Sequence, residues 1–205
     1  MPYGYLGQNQ PNQTVNNSGV FSITDVAELQ SQGKLGGSLE LIEEQTVSAV
    51  SSTNFTSIKE SIYNVHFLTV SFTETTTATL LQISNNGGTS YHTTGYQFAV
   101  QYGSVGGTFA EDKSTSSETL FSLGNAAAGL SKLCYIYLYN LGDSSKYSFI
   151  TTHFFGEHPT FVNYFKFGGG VYPTAETHNA IRLYADTGNM TGTAKLYGVK
   201  QIWVT

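Results

Sequence analysis

Between Ala180 and Tyr197, apolar and polar residues alternate one for one on both sides of a short polar turn. Ile181, Leu183 and Ala185 interleave with Arg182, Tyr184 and Asp186. After Thr187-Gly188-Asn189-Met190-Thr191-Gly192, the return run sets Ala194, Leu196 and Gly198 on one face and Thr193, Lys195 and Tyr197 on the other. A period of two fits a strand that buries one face and does not fit a helix. Two such runs around a Gly/Asn turn predict an antiparallel hairpin. Its buried face needs a second layer, so the rest of the chain is expected to supply two packed sheets.

The preceding residues fit that expectation. Leu39 and Leu41, with Val47, Ala49 and Phe55, read as opening strands interrupted by Glu43-Glu44. From Ser61 to Phe72, Ile62, Leu68, Val70 and Phe72 fall on one face and Tyr63, Val65 and Phe67 on the other. Both sets are apolar, whereas a strand of a two-layer sandwich needs one inner face. The second set predicts burial against another subunit, or else cover by the N-terminal helix or a loop. Ala78 to Ser84 and Ser90 to Tyr102 read as a hairpin around Asn85-Asn86-Gly87-Gly88. Residues 103–130 show no period and read as a long loop, functional or ordered by a neighbour. In the next strand Leu133, Tyr135, Tyr137 and Tyr139 oppose Cys134, Ile136 and Leu138. Tyr147 to Phe155 and Thr160 to Phe167 pair around Gly156 to Pro159, and Ile202-Trp203-Val204 extends the last strand.

The N-terminal end differs. Met1 to Ser18 is rich in Gly, Asn, Gln and Pro, with isolated apolar residues such as Tyr3 and Tyr5, and cannot form a core of its own. A short helix is expected after Ser22 as cap, with Phe21 packing on Val26 as a staple and Gly33 as the stop. So short a helix is marginal alone, so Val26 and Leu29 are expected to pack on something. The expected architecture is an all-β, antiparallel, jelly-roll-like β-sandwich of about ten short strands, residues 38–205, preceded by an extended arm with one short helix, residues 1–37.

Composition narrows the function. Only 11% of the 205 residues are charged, against roughly 25% in ordinary domains. Ser, Thr, Gly, Asn and Tyr take their place, which suits broad contact with protein or sugar. A net charge of −5 with nine Lys and Arg argues against nucleic acid as a partner. No apolar run approaches bilayer length and no signal peptide is recognisable, so no membrane insertion is expected. The one cysteine, Cys134, cannot form an internal disulfide and reads as a core residue, which predicts folding in a reducing cytosol.

The usual signatures of catalysis are not found. There is no Gly-x-Ser-x-Gly elbow and no phosphate loop. Glu43-Glu44 and Glu111-Asp112 are adjacent pairs whose members point to opposite faces of a strand, so neither makes an acid–base pair, although distant acids could converge. His153 and Glu157-His158 read as a strand edge with a polar turn rather than as metal ligands. No metal, cofactor or catalytic residue is expected. Tyr184 and Tyr197, on the outer face of the final hairpin, are candidates for receptor contact with sugar or protein, or for a cross-strand aromatic pair without a ligand.

Asn17-Ser18-Gly19-Val20-Phe21-Ser22-Ile23, running into Asp25-Val26-Ala27-Glu28-Leu29, resembles a segment of virion structural proteins of marine, cyanophage-like tailed phages. The polar lead Gly7 to Thr14, Asn86-Gly87-Gly88 and Leu196-Tyr197-Gly198-Val199-Lys200 are similar to the same group. The resemblance implies a non-enzymatic part of the particle, assembled in the host cytoplasm: a short tail fibre or appendage, or a capsid-decoration (cement) protein, and a homotrimer. Its partners would be other virion proteins and a host-surface polysaccharide or protein. Tyr3, Tyr5, Phe21, Val26 and Leu29 would dock the arm on the particle, and Tyr63, Val65 and Phe67 would form the subunit interface. The chain lacks the repetitive shaft of long fibres. A polysaccharide-cleaving spike is the remaining alternative.

Overall fold

The computed structural model describes residues 23–31, 38–74, 78–119, 121–122, 131–158 and 162–200. The chain divides into two units, Met1–Ser38 and Leu39–Thr205. In the first, helix α1 spans Ile23–Ser31, beginning directly after the expected cap Ser22. Ile23 and Val26 are both exposed. Tyr3, Tyr5, Phe21, Ser22 and Gly33 lie outside the described residues, as do the side chain of Leu29 and the Ile202-Trp203-Val204 segment.

The described residues of the second unit form twelve strands, numbered in chain order. One sheet holds eight, in the spatial order β1 (Leu39–Val50), β12 (Met190–Val199), β3 (Val65–Glu74), β8 (Ser131–Tyr139), β9 (Ser148–His158), β10 (Val162–Tyr172), β5 (Tyr96–Ser104) and β6 (Phe109–Ser117). The other holds β2 (Ser52–Phe55), β11 (Ala180–Ala185), β4 (Thr79–Ser84) and β7 (Phe121–Ser122). All pairings are antiparallel. The order β1-β12-β3-β8 in one sheet and β2-β11-β4-β7 in the other is that of an eight-stranded jelly roll, in which the chain steps repeatedly from sheet to sheet. Two hairpins are added to it. β5–β6, inserted between β4 and β7, and β9–β10, inserted between β8 and β11, widen the first sheet.

This topology corrects two hairpin expectations. β11 bonds to β2 and β4, and β12 bonds to β1 and β3, so the turn after Ala185 is a corner between sheets. The Asn85 to Gly88 turn likewise leads from β4 in one sheet towards β5 in the other. Alternation identifies the buried face of a strand, and both sheets bury theirs in the same core, so the pattern cannot tell a hairpin from a sheet-to-sheet step. The aperiodic stretch 103–130 also contains β6 and the short β7. β6 is an edge strand with mostly exposed residues, so it carries no apolar period.

The core lies between the two inner faces. Leu68, Phe72, Ile136, Leu138, Ile150 and Leu196 come from the larger sheet, and Phe55, Leu81, Ile83, Ile181 and Leu183 from the smaller. Each is essentially inaccessible, and each contributes about 1.5–3 kcal/mol by leaving water. Glu43-Glu44 does not interrupt β1. A register shift between Leu41 and Glu43 absorbs one residue, so Leu41 faces outward beside Tyr197 while Val47 packs against the core.

Candidate functional site

The outer face of the eight-stranded sheet is built by the second residue set of each strand. In β3, His66, Leu68, Val70 and Phe72 point inward, leaving Val65 and Phe67 outward and half-buried, as expected. Tyr63 and Ile62 depart from that expectation. They precede the strand in a turn where the Ile62 and Tyr63 N–H groups both donate to Lys59 O, at 2.9 and 3.2 Å. β3 begins only at Val65, so its parity does not reach back into this turn, in which Lys59 has φ 56°. Tyr63 is consequently buried within its own chain, with its ring over Gly198 and its hydroxyl on Glu40. Ile62 is exposed. Tyr63 therefore does not belong to the outer face.

Register places the outward aromatic residues in rows across the sheet. Tyr197, Phe67 and Tyr137 are direct neighbours on β12, β3 and β8, with ring centroids 6.0 and 4.8 Å apart. A second row runs through Tyr135, His153 and Phe167, where the Tyr135 hydroxyl is hydrogen-bonded to His153 Nδ1. A third runs through Leu133, Phe155 and Phe165. Leu133 remains 60% exposed and Phe155 54%. Phe67 of the first row, with the second and third rows, lines a depression of about 770 Å³. Its charged group, Lys195, is paired with Glu44 at 3.2 Å. The face is thus broad, aromatic and nearly charge-free, the surface type that marks an interaction site.

Tyr184 and Tyr197 lie in different sheets and do not form one surface. Tyr197 belongs to the first aromatic row, beside Phe67 rather than beside Tyr184, so the expected cross-strand pair of the two tyrosines does not form. Tyr184 is half-buried with the Arg182 guanidinium 4.8 Å from its ring centroid. Burial pushes its phenol above the ordinary value.

His153 and Glu157 are four residues apart along β9, which separates them by about 13 Å. His153 is engaged with Tyr135, and the side chain of His158 lies outside the described residues. Cys134 is buried with its thiol pushed up to about 12 by desolvation, which removes thiolate reactivity.

The sequence reading missed a cluster at one end of the sandwich. His92 lies in the connection from β4 to β5, and Glu176 and His178 lie in the connection from β10 to β11. Their ligand-type atoms all fall within 4.8 Å of one another. His178 is fully buried, and its backbone N–H donates to Leu141 O at 2.7 Å. The His92 ring stacks on Tyr172 with centroids 4.3 Å apart. The two connections are tied together: the Asn179 N–H donates to Ser84 O at 2.8 Å, and the Gly87 N–H to Asn179 Oδ1 at 2.7 Å. Burial lowers both histidines, His178 to about 4, despite the opposing pull of Glu176. Glu176-x-His178 was the visible half of this cluster. His92 is 84 residues earlier, and only the paired connections bring it near.

The chain matches no protein-family model, no curated protein and no solved structure.

Proposed function

We propose that the protein is a non-enzymatic structural component of a tailed-phage particle, a short fibre or appendage whose jelly roll assembles with copies of itself, as a trimer, through the outer face of the eight-stranded sheet. The carrying observation is that face: Phe67, Leu133, Tyr135, Phe155, Phe165 and Phe167 stand in register on four consecutive strands, β3, β8, β9 and β10, with scarcely any charge among them. An apolar surface this continuous is stable in water when a partner of the same chemistry removes it, and a second copy supplies that chemistry without a foreign partner. The sequence resemblance to virion proteins supports the setting. The jelly-roll order adds an argument by analogy, because the fold recurs in viral coat proteins and also in lectins. On this reading the first unit, with α1, anchors the protein to the particle, and the edges left free by assembly are available to the host surface.

Light scattering on the purified chain tests the assembly. A trimer is expected for the wild type, and Phe67→Asp/Phe155→Asp should be monomeric with its thermal transition preserved, because both side chains point away from the core. A wild type that stays monomeric at high concentration overturns the reading. Copy number per particle separates the appendage, a handful, from a cement protein present over the whole shell.

A further inference from the structure

We propose that His92, Glu176 and His178 form a binding site for a zinc-class divalent transition-metal ion that clamps the two connections at one end of the sandwich.

Three donors converge on one point. His92 Nε2 lies 3.2 Å from Glu176 Oε1 and His178 Nε2 lies 3.4 Å from the same oxygen. Neither contact has hydrogen-bond geometry, so both nitrogens are buried without a hydrogen-bond partner. Two unsatisfied imidazole nitrogens directed at one carboxylate are costly unless something occupies the space among them. A cation that accepts all three lone pairs removes that cost.

The remaining atom of each ligand is already held. His178 Nδ1 is bonded to Ser148 Oγ at 2.8 Å, and His92 Nδ1 to the Tyr172 hydroxyl at 3.0 Å. Glu176 Oε2 accepts a hydrogen bond from Asn85 Nδ2 at 2.7 Å. A hydrogen bond on each Nδ1 directs the ring's Nε2 to the metal, and supporting contacts of this kind orient ligands in metal sites generally. Tyr172 also meets the His178 ring edge-on at 5.3 Å, so ring orientation is fixed on both sides.

The donor set selects the ion. Two imidazoles and one carboxylate suit zinc and its neighbours, whereas calcium and magnesium prefer oxygen alone. His178 is inaccessible, but His92 and Glu176 side chains keep 19% and 26% exposure, leaving one side for entry and for a water as fourth ligand. A metal here would join residues 84 positions apart in sequence and hold the chain where it changes sheets on both passes.

Equilibrium dialysis of the untagged chain against zinc, with cobalt as a spectroscopic substitute, tests the site. One ion per chain is expected, with visible cobalt bands of a low-coordinate site and a thermal transition raised by zinc and restored by chelator. His92→Gln and Glu176→Gln, both at partly exposed positions, should abolish stoichiometric binding and the zinc-induced shift. Ser148→Ala should weaken affinity about 10–100-fold by loosening His178. Absence of stoichiometric binding in the folded wild type would overturn the proposal. So would binding that persists unchanged in both glutamine variants, which would place the ion on other histidines. The glutamine variants' own thermal transitions, measured without metal, establish that they are folded.

Discussion

The ring of Tyr63 lies directly over Gly198, so closely that a Cβ at that position would stand 2.3 Å from Tyr63 Cδ2. The glycine is part of the inward set of β12, and its missing side chain is the space the ring fills. Above it the Tyr63 hydroxyl is bonded to Glu40, and desolvation with that bond pushes the phenol up to about 12. Gly198→Ala should therefore cost about 1–3 kcal/mol in denaturant unfolding, since the ring cannot stay where it is. Tyr63→Ala/Gly198→Ala should lose less than the sum of the single changes, and strict additivity would show that the two do not share one space.

His66 makes stability depend on pH. It is fully buried, with Nε2 within 2.8 Å of Ile58 O, and burial lowers its pKa below the ordinary 6.5 against the weaker opposing effects of that bond and of Glu60. Above pH 6.5 it is neutral in both the folded and the unfolded chain, and its contribution is fully present. As pH falls below that value the unfolded chain takes up the proton first. Stability then drops until the folded pKa is passed, by at most about 1.4 kcal/mol per pH unit. His66→Gln keeps an N–H for Ile58 O but does not titrate. Its stability should fall less steeply on acidification than the wild type's, and parallel curves would contradict the assignment.

What could be read in advance was what a single strand encodes. The inward set Cys134, Ile136, Leu138 and the outward set Leu133, Tyr135, Tyr137, Tyr139 were legible because each strand of a two-layer fold shows its own buried face. Partner choice was not legible. Ile181 and Leu196 both reach the same core from opposite sheets, and nothing local distinguishes that from a hairpin. Tyr63 was misplaced because β3 begins only at Val65, and the turn from Lys59 to Tyr63 before it carries no glycine to signal it. The His92, Glu176, His178 cluster depends on two sheet-to-sheet connections meeting, which is a property of topology rather than of spacing.

Cys134 should be unreactive while the chain is folded. Its thiol is buried, its pKa is pushed up to about 12 by desolvation, and Thr152 Oγ1 lies 3.4 Å from the sulfur. A thiol-specific disulfide reagent at pH 8 should label the native protein only at its unfolding rate and the denatured protein within the mixing time. Prompt labelling of the native chain would mean that the β8–β9 face opens locally.

Tyr184 gives a test of structural against recognition roles. The Arg182 guanidinium lies 4.5 Å from the Tyr91 ring centroid and 4.8 Å from that of Tyr184, so the cation is held between two aromatic faces on the outside of the smaller sheet. Tyr184→Ala should lower stability by about 1 kcal/mol, while Tyr184→Phe, which keeps the ring, should stay within about 0.5 kcal/mol of the wild type. A phenylalanine variant as unstable as the alanine one would shift the role from the ring to the hydroxyl, which receives the Gln82 Nε2–H at 3.4 Å.

Among the described residues, every member of the hydrophobic core cluster lies in the second unit, between Phe55 and Leu196, with Ile42, Val47 and Val50 packed against it. A chain beginning at Ser38 therefore retains the whole of this described core, whose burial makes unfolding cooperative. Deleting residues 1–37 should leave the denaturant midpoint and the slope unchanged within error, since both follow the surface exposed on unfolding. The same truncation should fail to join particles if the first unit is the anchor. A truncated chain that folds normally and is still incorporated would remove the anchor role without touching the jelly roll. A chain that no longer folds would instead assign residues 1–37 to the domain itself.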